Sequence, residues 1–517
     1  MRIGIDVGGT NTDAVLLDGS TVLADVKQPT SSDVTTGIVS ALTLLGEHHR
    51  FAPESISAVM IGTTHFINAL LEGRHLAPTA ALRLGLPATA SLPPFVGWPA
   101  PLVAAIQGRP YLAHGGHEFD GRHISELDVD EIKRHAADMA AHGIRSVAIS
   151  SVFSPVNTDF EEQAAAIIAK ELGDSVAISV SHEIGRIGLL ERENATIINA
   201  GLRELALQIT DALATAVRAY GIEAPVYISQ NDGTLMDIDY TRHYPVATFA
   251  SGPTNSMRGA AALSGLQDCV VIDIGGTTTD VGVLSKGFPR EATTEITVAG
   301  VHTNFRMPDV LSIAVGGGSR ITRAGKAVGP TSVGYKITEQ ALVFGGGEVT
   351  ATDAAVAGGY AAIGDPERVK DLDQDMVRTA LDTIAEMITT AVERMRISAE
   401  PLPVVAVGGG SILLPPHLAG LGEIHRPDHF SVANAIGAAI AQVSGEVDRV
   451  YVIPDGQRDR ILAQAKEEAL DKAVRSGARA DDVHIVDLDE VPLPYIPGNA
   501  TRIRVKAVGE LVMEETR

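Results

Sequence analysis

Residues 3–19 read IGIDVGGTNTDAVLLDG, and residues 271–287 read VIDIGGTTTDVGVLSKG. Asp6, Gly8, Gly9, Thr10, Thr12 and Asp13 of the first stretch recur in register as Asp273, Gly275, Gly276, Thr277, Thr279 and Asp280 of the second. Self-similarity of this kind marks one supersecondary unit used twice, here once in each of two lobes. Each copy is an apolar run, a Gly-Gly-Thr break and a second apolar run. That is the pattern of a β-hairpin rather than of a strand followed by a helix.

Such a turn presents backbone N–H groups and a hydroxyl to an anion, and its glycines let the backbone approach phosphate oxygens with no Cβ in the way. The flanking aspartates repel phosphate unless a cation lies between. Mg²⁺, a hard ion that takes oxygen ligands, suits the place, and another divalent metal is the alternative. Two such hairpins facing each other would grip a nucleotide triphosphate from both lobes. Asp6 and Asp273 are the expected metal-organising carboxylates, directly or through water. Thr10, Asn11, Thr277 and Thr278 are the phosphate donors, with Gly8, Gly9, Gly275 and Gly276 supplying backbone. Asp13 and Asp280 either join this chemistry or fix the hairpins.

Outward from the repeats, strand-like and helical runs alternate, which predicts an α/β architecture. Ser146–Val152 and Val176–Val180 read as strands around a helix over Glu161–Leu172, and 190–219 reads as a long helix. Leu381, Ile384, Ile388, Ala391, Val392 and Met395 fall at helical spacing. Val404–Val407 is a short strand ending in Gly408-Gly409-Gly410-Ser411, a loop suited to close approach by adenosine or a plain glycine turn. The tail predicts a separate β-α-β-β unit: strands at Val450–Ile453, Val483–Leu488 and Thr501–Val508, and a helix over Arg458–Arg475. Pro87–Pro101 reads as a proline-rich surface loop or lid.

Composition sets the limits. The 517 residues hold 41 basic and 64 acidic side chains, a net charge of −23, which disfavours nucleic acid or an anionic membrane as partner. The single cysteine, Cys269, excludes an intramolecular disulfide framework and a cysteine-based zinc site. Met1–Asp6 reads as a buried strand rather than a signal peptide, and no run of about 18 apolar residues occurs. A cytoplasmic protein is expected. The 52 glycines, about 10% against a usual 7% or so, concentrate in part at 8–9, 275–276, 316–318 and 408–410.

The duplicated hairpin resembles those of the sugar kinase, Hsp70 and actin superfamily. Within it the chain resembles the hydantoinase/oxoprolinase family, in particular its A-type ATP-dependent subunit. The similarity runs through IGTTHFINALLEG at 61–73, SVFSPVNTDFE at 151–161, SHEIGRIGLLEREN at 181–194 and FASGPTNS at 249–256. It continues with LSIAVGGGSRI at 311–321, VGPTSVG at 328–334, TATDAAVAGG at 350–359 and AVGGGS at 406–411. The resemblance implies a two-lobed, actin-like (ribonuclease H-like) ATPase fold with a small α+β C-terminal appendage. The expected divisions are a first lobe over 1–180, a second over 181–445 and the appendage over 446–517. The implied reaction is ATP-dependent opening of a cyclic amide such as a hydantoin or 5-oxoproline. ATP phosphorylates the amide oxygen and water attacks the activated carbon. A B-type partner subunit and an oligomeric state are implied with it.

The same resemblance places Thr63, Thr64, His65, Asn68 and Ser251 toward the substrate, with His65 alternatively a structurally satisfied histidine. Gly316-Gly317-Gly318-Ser319 either frames the cleft or makes a structural turn, and Glu183, Glu191 and Arg192 either act or complement a helix start. His114, His117, Glu118, Asp120 and His123 could hold zinc or manganese, but the glycine-rich, polar context favours a solvated loop. The chain departs from long A-type subunits at Tyr335–Gln340, which leaves the substrate open. Two rivals remain: a small-molecule kinase with Asp232 of Asn231-Asp232-Gly233 as base, and an actin- or Hsp70-like ATPase without enzymatic substrate.

Overall fold

A computed structural model of the chain describes residues 1–9, 11–30, 34–173, 175–292, 296–305, 307–397, 400–494 and 500–512. In chain order the first strands are β1 (Arg2–Val7), β2 (Asn11–Asp18), β3 (Thr21–Pro29) and β4 (Ala58–Thr63). Next come β5 (Thr79–Leu86), β6 (Arg109–His114), β7 (Ser146–Ser151) and β8 (Ala177–Val180), then β9 (Val226–Ser229) and β10 (Thr234–Asp237). The second repeat forms β11 (Cys269–Ile274) and β12 (Thr279–Ser285).

Both repeats are antiparallel hairpins, as their apolar–glycine–apolar pattern requires. β1 pairs with β2 and β11 with β12, each in the register that sets aspartate opposite aspartate: Asp6 across from Asp13, Asp273 across from Asp280. Strand alternation sorts the apolar residues between two faces. Ile3, Ile5 and Val7 of β1 pack on Ile38, Leu42 and Leu45 of the helix Val34–His48. Val270, Ile272 and Ile274 of β11 pack on Leu381, Ile384, Ile388 and Val392 of the helix Gln374–Met395. Those helical residues are the ones spaced three and four apart in the sequence, and Asp373 caps the helix by accepting from the Asp375 N–H.

The opposite faces of the two hairpins meet a pair of crossed helices. Val15 and Leu17 contact Ile436 and Ala439 of the helix Ala433–Ala439. Cys269 and Val271 contact Met257 and Ala260 of the helix Ser251–Ser264. These helices touch backbone to backbone. A Cβ on Gly259 would stand 1.8 Å from the Ala433 carbonyl oxygen, and one on Gly437 would stand 1.8 Å from that of Asn255. Glycine is therefore obligatory at both crossings. The result is the two-lobed α/β architecture expected from the repeats, with a hairpin-bearing sheet on each side of a shared helix pair.

The lobes are divided differently from the sequence expectation. Among the described residues, a sheet of nine strands contains β3, β2, β1, β4, β9 and β10, followed by Gln442–Val452, Ala500–Gly509 and His484–Pro492. The C-terminal strands are thus not a separate unit, because Gln442–Val452 hydrogen-bonds in parallel to β10 and extends the first lobe's sheet. The helix Arg458–Arg475 buries Ile461, Ala465, Ala469 and Ala473 on that extension. β9 and β10, assigned by sequence to the second lobe, belong to the first. A separate parallel sheet of β6-β5-β7-β8 sits within residues 79–180.

The proline-rich stretch is docked rather than free. Trp98 is buried and donates from Nε1 to Asn194 Oδ1 at 2.7 Å. Among the described residues no helix is long and apolar enough to cross a membrane.

Candidate active site

The two hairpin turns are closed alike. Gly8 N–H donates to the Asn11 carbonyl at 3.0 Å, and Gly275 N–H to the Thr278 carbonyl at 2.9 Å. Beyond those bonds the turns are open. No atom lies within 4 Å of a Cβ placed on Gly9, while Thr277 and Thr278 are exposed. Gly276 is half-buried and Asn11 lies beside the first turn at the start of β2. Thr10, read as a phosphate donor, lies outside the described residues.

Below the turns lie four carboxylates, Asp6 and Asp13 buried and Asp273 and Asp280 half-buried. Burial, with Asp13 adding, pushes the Asp6 carboxyl up to about 6 against the opposing hydrogen bond from Asn434. Asn434 Nδ2 donates to Asp6 Oδ2 at 2.9 Å. Asp280 is likewise raised to about 6 by burial, partly offset by a hydrogen bond from Ser312 Oγ. Burial also raises Asp273, against a hydrogen bond from Ser256 and the charge of Lys27. It raises Asp13 as well, although Lys27 Nζ binds both its oxygens at 2.7 and 2.8 Å. Buried carboxylates held close together are a costly arrangement unless a cation joins them.

The glycine loops press against the second hairpin. Gly408, at φ 81°, leaves no room for a side chain, since a Cβ there would lie 2.2 Å from Asp273 Oδ1. Gly410 packs on the Ile274 and Gly275 carbonyls, whereas Gly409 faces Lys27. Ser411 is buried with its hydroxyl unpartnered. Gly317 and Gly318 donate to the carbonyls of Gly275 and Gly276 at 3.0 and 2.7 Å and are buried. They brace the turn of the second hairpin through these backbone bonds.

A third set gathers at the end of β4. Asp6 pairs in register with Gly62, where a Cβ would collide with Asp6 Oδ1 at 2.3 Å and Asn255 Nδ2 at 2.5 Å. Thr63 Oγ1 lies 2.6 Å from His65 Nδ1, and burial lowers the His65 pKa, favouring the neutral imidazole. Asn68 Nδ2 donates to Thr64 Oγ1 at 3.3 Å. Thr64 stands beside Gly252 at the start of the helix Ser251–Ser264, where the buried Ser251 hydroxyl has no partner. Asn255, also fully buried, leaves both side-chain polar atoms unpaired although its amide lies against the Asp6 carboxylate. Lys27, Asn255 and Asn434 escaped the sequence reading. Two local signals exist: Lys27 lies on the strand that follows the first hairpin, and Asn255 lies within FASGPTNS at 249–256.

Other sequence candidates have structural partners. Arg192 is buried and spends its guanidinium on Ser181 Oγ and the carbonyls of Ser151, Arg186 and Ile187 at 2.7–2.9 Å. Glu183 accepts from the Tyr244 hydroxyl at 2.6 Å, and Glu191 folds back beside Gly188. The histidine cluster is largely solvated, with Glu118, Asp120 and His123 exposed, but His117 is buried, its ring 4.4 Å from that of Phe160 and 5.3 Å from that of His123. The helix Asp159–Leu172 brings Phe160 there, a packing the local polar sequence concealed. His114, Asp128 and Glu131 come within metal-ligand reach of one another, but Glu131 already accepts from the His114 backbone N–H and Asp128 caps the helix Val129–Ala141. Burial acts to raise Asp232, yet Lys506 at 2.8 Å and Thr234 outweigh it and hold the carboxyl below its usual range. An ion-paired carboxylate of that kind is a poor general base.

Comparison with known proteins extends this picture. Residues 2–172 match the hydantoinase/oxoprolinase N-terminal region, and residues 192–362 match the hydantoinase/oxoprolinase family proper. The acetophenone carboxylase gamma subunit of Aromatoleum aromaticum is 28% identical over 398 residues, which cover 69% of this chain and 53% of that protein. The caprolactamase subunit alpha of Pseudomonas jessenii is 27% identical over 491 residues, covering 88% of this chain and 68% of the relative. The chain therefore spans between about half and two thirds of the length of these two relatives. The crystal structure of the ATP-dependent caprolactamase from Pseudomonas jessenii superimposes with a TM-score of 0.79 at 19% identity, over 99% of this chain and 88% of that one.

Proposed function

Because the chain belongs to the hydantoinase/oxoprolinase family, we propose that it is the ATP-using subunit of an enzyme that hydrolyses a cyclic amide. The observation that carries this reading is the convergence of two like hairpins. Lys27, bound to Asp13 of the first, reaches the Gly409 loop beside the second, and the charge of Asp13 raises Asp273. Phosphoryl transfer asks a protein chiefly for positioning and charge neutralisation, which such a cleft can supply.

The donor set is all oxygen, and its enclosed carboxylates are raised by burial, so it suits a hard divalent cation. Asp6 and Asp273 would hold Mg²⁺, directly or through water, with Asp13 and Asp280 completing the hairpins' carboxylate pairs. Bound there, the ion supplies neutralisation of phosphate charge. Gly8, Gly9, Gly275 and Gly276 offer backbone N–H groups to the phosphates, and Thr10, Asn11, Thr277 and Thr278 offer side chains. Gly408, Gly409, Gly410 and Ser411 are assigned to the adenosine side.

Thr63, Thr64, His65, Asn68 and Ser251, at the end of β4 and the start of the helix Ser251–Ser264, are assigned to the amide ring. Transfer of the terminal phosphoryl group of ATP to the amide oxygen releases ADP and makes the ring carbon electrophilic. Water adds to that carbon, and the C–N bond breaks as the nitrogen takes a proton and leaves as the amine. A second water hydrolyses the resulting acyl phosphate to carboxylate and orthophosphate. The caprolactamase relative supports a lactam as the ring, and the names of both relatives, as subunits, support a separate B-type partner chain.

The test is ATP turnover against hydantoins, 5-oxoproline and lactams of several ring sizes, with and without the B-type chain. Stimulation by at least one cyclic amide, with ADP, orthophosphate and the opened ring as products, is expected. Failure of every ring in the assembled complex would remove the assignment. Turnover with acetophenone and bicarbonate instead would place the chain with its carboxylase relative.

A further inference from the structure

The two hairpins are duplicates, but their flanking strands are not. In the first lobe β3 sets Lys27 opposite Asp13. In the second, the strand Val310–Ile313 sets Ser312 opposite Asp280. Opposite these matching aspartates a cation stands in the first lobe and a hydroxyl in the second, and the lysine reaches across the gap. Lys27 Nζ donates to both oxygens of Asp13 at 2.7 and 2.8 Å and to the Ser431 carbonyl at 3.1 Å. Its Cε lies 3.6 Å from the point a Gly409 Cβ would occupy, so the side chain reaches the glycine loop that covers Asp273.

We propose that Lys27 is a nucleotide-contacting residue, whose ammonium leaves part of its Asp13 and Ser431 contacts for the phosphate chain of ATP seated between the hairpins. This rests on the reading of the chain as an ATP-using subunit and adds a side-chain cation to the backbone donors of the turns. Three features support it. The Lys27 side chain is one third exposed, unlike Asp13 at 1%, so the ammonium can turn toward a ligand while its partner stays fixed. Its charge reaches Asp6, Asp13 and Asp273, carboxylates of both hairpins, which locates it where a phosphate gripped from both sides must lie. A lysine ammonium on a flexible four-carbon stem has three donors and can keep one carboxylate bond while gaining a phosphate oxygen.

A merely structural alternative is that Lys27 serves only to neutralise buried Asp13. The experiment separates the two. Equilibrium binding of a fluorescent ATP analogue to the full chain, displaced by ATP, is measured at several salt concentrations for wild type, K27Q, K27R and the charge-balanced double variant K27Q/D13N. Thermal melts check folding, since K27Q alone strands a buried carboxylate. The expected result is affinity lower by about tenfold or more in both K27Q and K27Q/D13N, a shallower salt dependence, and partial retention in K27R. Wild-type affinity in the double variant overturns the proposal, because charge balance alone would then suffice. Absence of nucleotide binding by the wild type overturns the proposed function itself, and this inference with it.

Discussion

Asn434 donates its side-chain amide to Asp6 across 2.9 Å, joining residues 428 apart in sequence. The bond ties the first hairpin to the start of the helix Ala433–Ala439, one of the crossed pair between the lobes. It also opposes the burial that raises the Asp6 carboxyl. A hydrogen bond to a charged, desolvated group contributes about 1.5–3 kcal/mol. Asn434→Leu, similar in size, should therefore lower kcat/KM for ATP turnover by about tenfold or more with the fold retained. Steady-state kinetics beside circular dichroism checks this, and wild-type kcat/KM would show that Asp6 needs no such donor.

The carboxylates give the protein a pH signature. Asp6 and Asp280 titrate near 6 when folded against an ordinary value of 3.8. Between those values the folded chain holds protons that the unfolded chain releases. Stability of metal- and nucleotide-free protein should then fall as pH rises from about 4 to about 6, and the full cost is present at pH 7. Asp280→Asn removes one of the two groups. It should flatten this slope and stabilise the chain at pH 7 by on the order of 1–3 kcal/mol. Thermal melts across that range decide it, and a variant no more stable than wild type at pH 7 would contradict the sign.

Gly437 offers a test of the helix crossing. A methyl group there would sit 1.8 Å from the Asn255 carbonyl oxygen, a backbone atom that cannot rotate away. Gly437→Ala should destabilise by about 1–3 kcal/mol or more and displace Asn255 and Asn434 from Asp6. Loss of turnover exceeding what the lowered melting point explains is the expected readout. An unchanged melting point would mean that the helices separate freely.

What could be read from the chain beforehand follows from how local each feature is. Opposed aspartates are written into a single hairpin, since the glycine turn fixes the register that pairs Asp6 with Asp13 and Asp273 with Asp280. The helices Gln374–Met395 and Arg458–Arg475 announce themselves by apolar spacing within one segment. The partner of a strand carries no such mark. Nothing in Gln442–Val452 says that its neighbour is β10, so the tail reads as independent in the sequence. Asn255 and Asn434 are ordinary helix residues until two distant helices are crossed over β1. His117 reads as solvated in the sequence because Phe160, which packs on it, arrives from another element.

The second hairpin repeats the register of the first, with Asp273 opposite Asp280 as Asp6 is opposite Asp13. Asp273 is enclosed by Gly408, receives a hydrogen bond from Ser256 and feels both Lys27 and Asp13. Its carboxylate therefore stands at the junction of both lobes, where it can organise a cation shared with Asp6. Asp273→Asn keeps the size and the Ser256 contact while removing the charge, and relief of a buried charge should leave the fold at least as stable. ATP turnover should drop by about a hundredfold or more, as expected when an electrostatic group acting on a phosphoryl transition state is lost. Turnover at the wild-type rate, in a variant with a wild-type melting point, would confine the chemistry to the first hairpin and reduce the second to a scaffold.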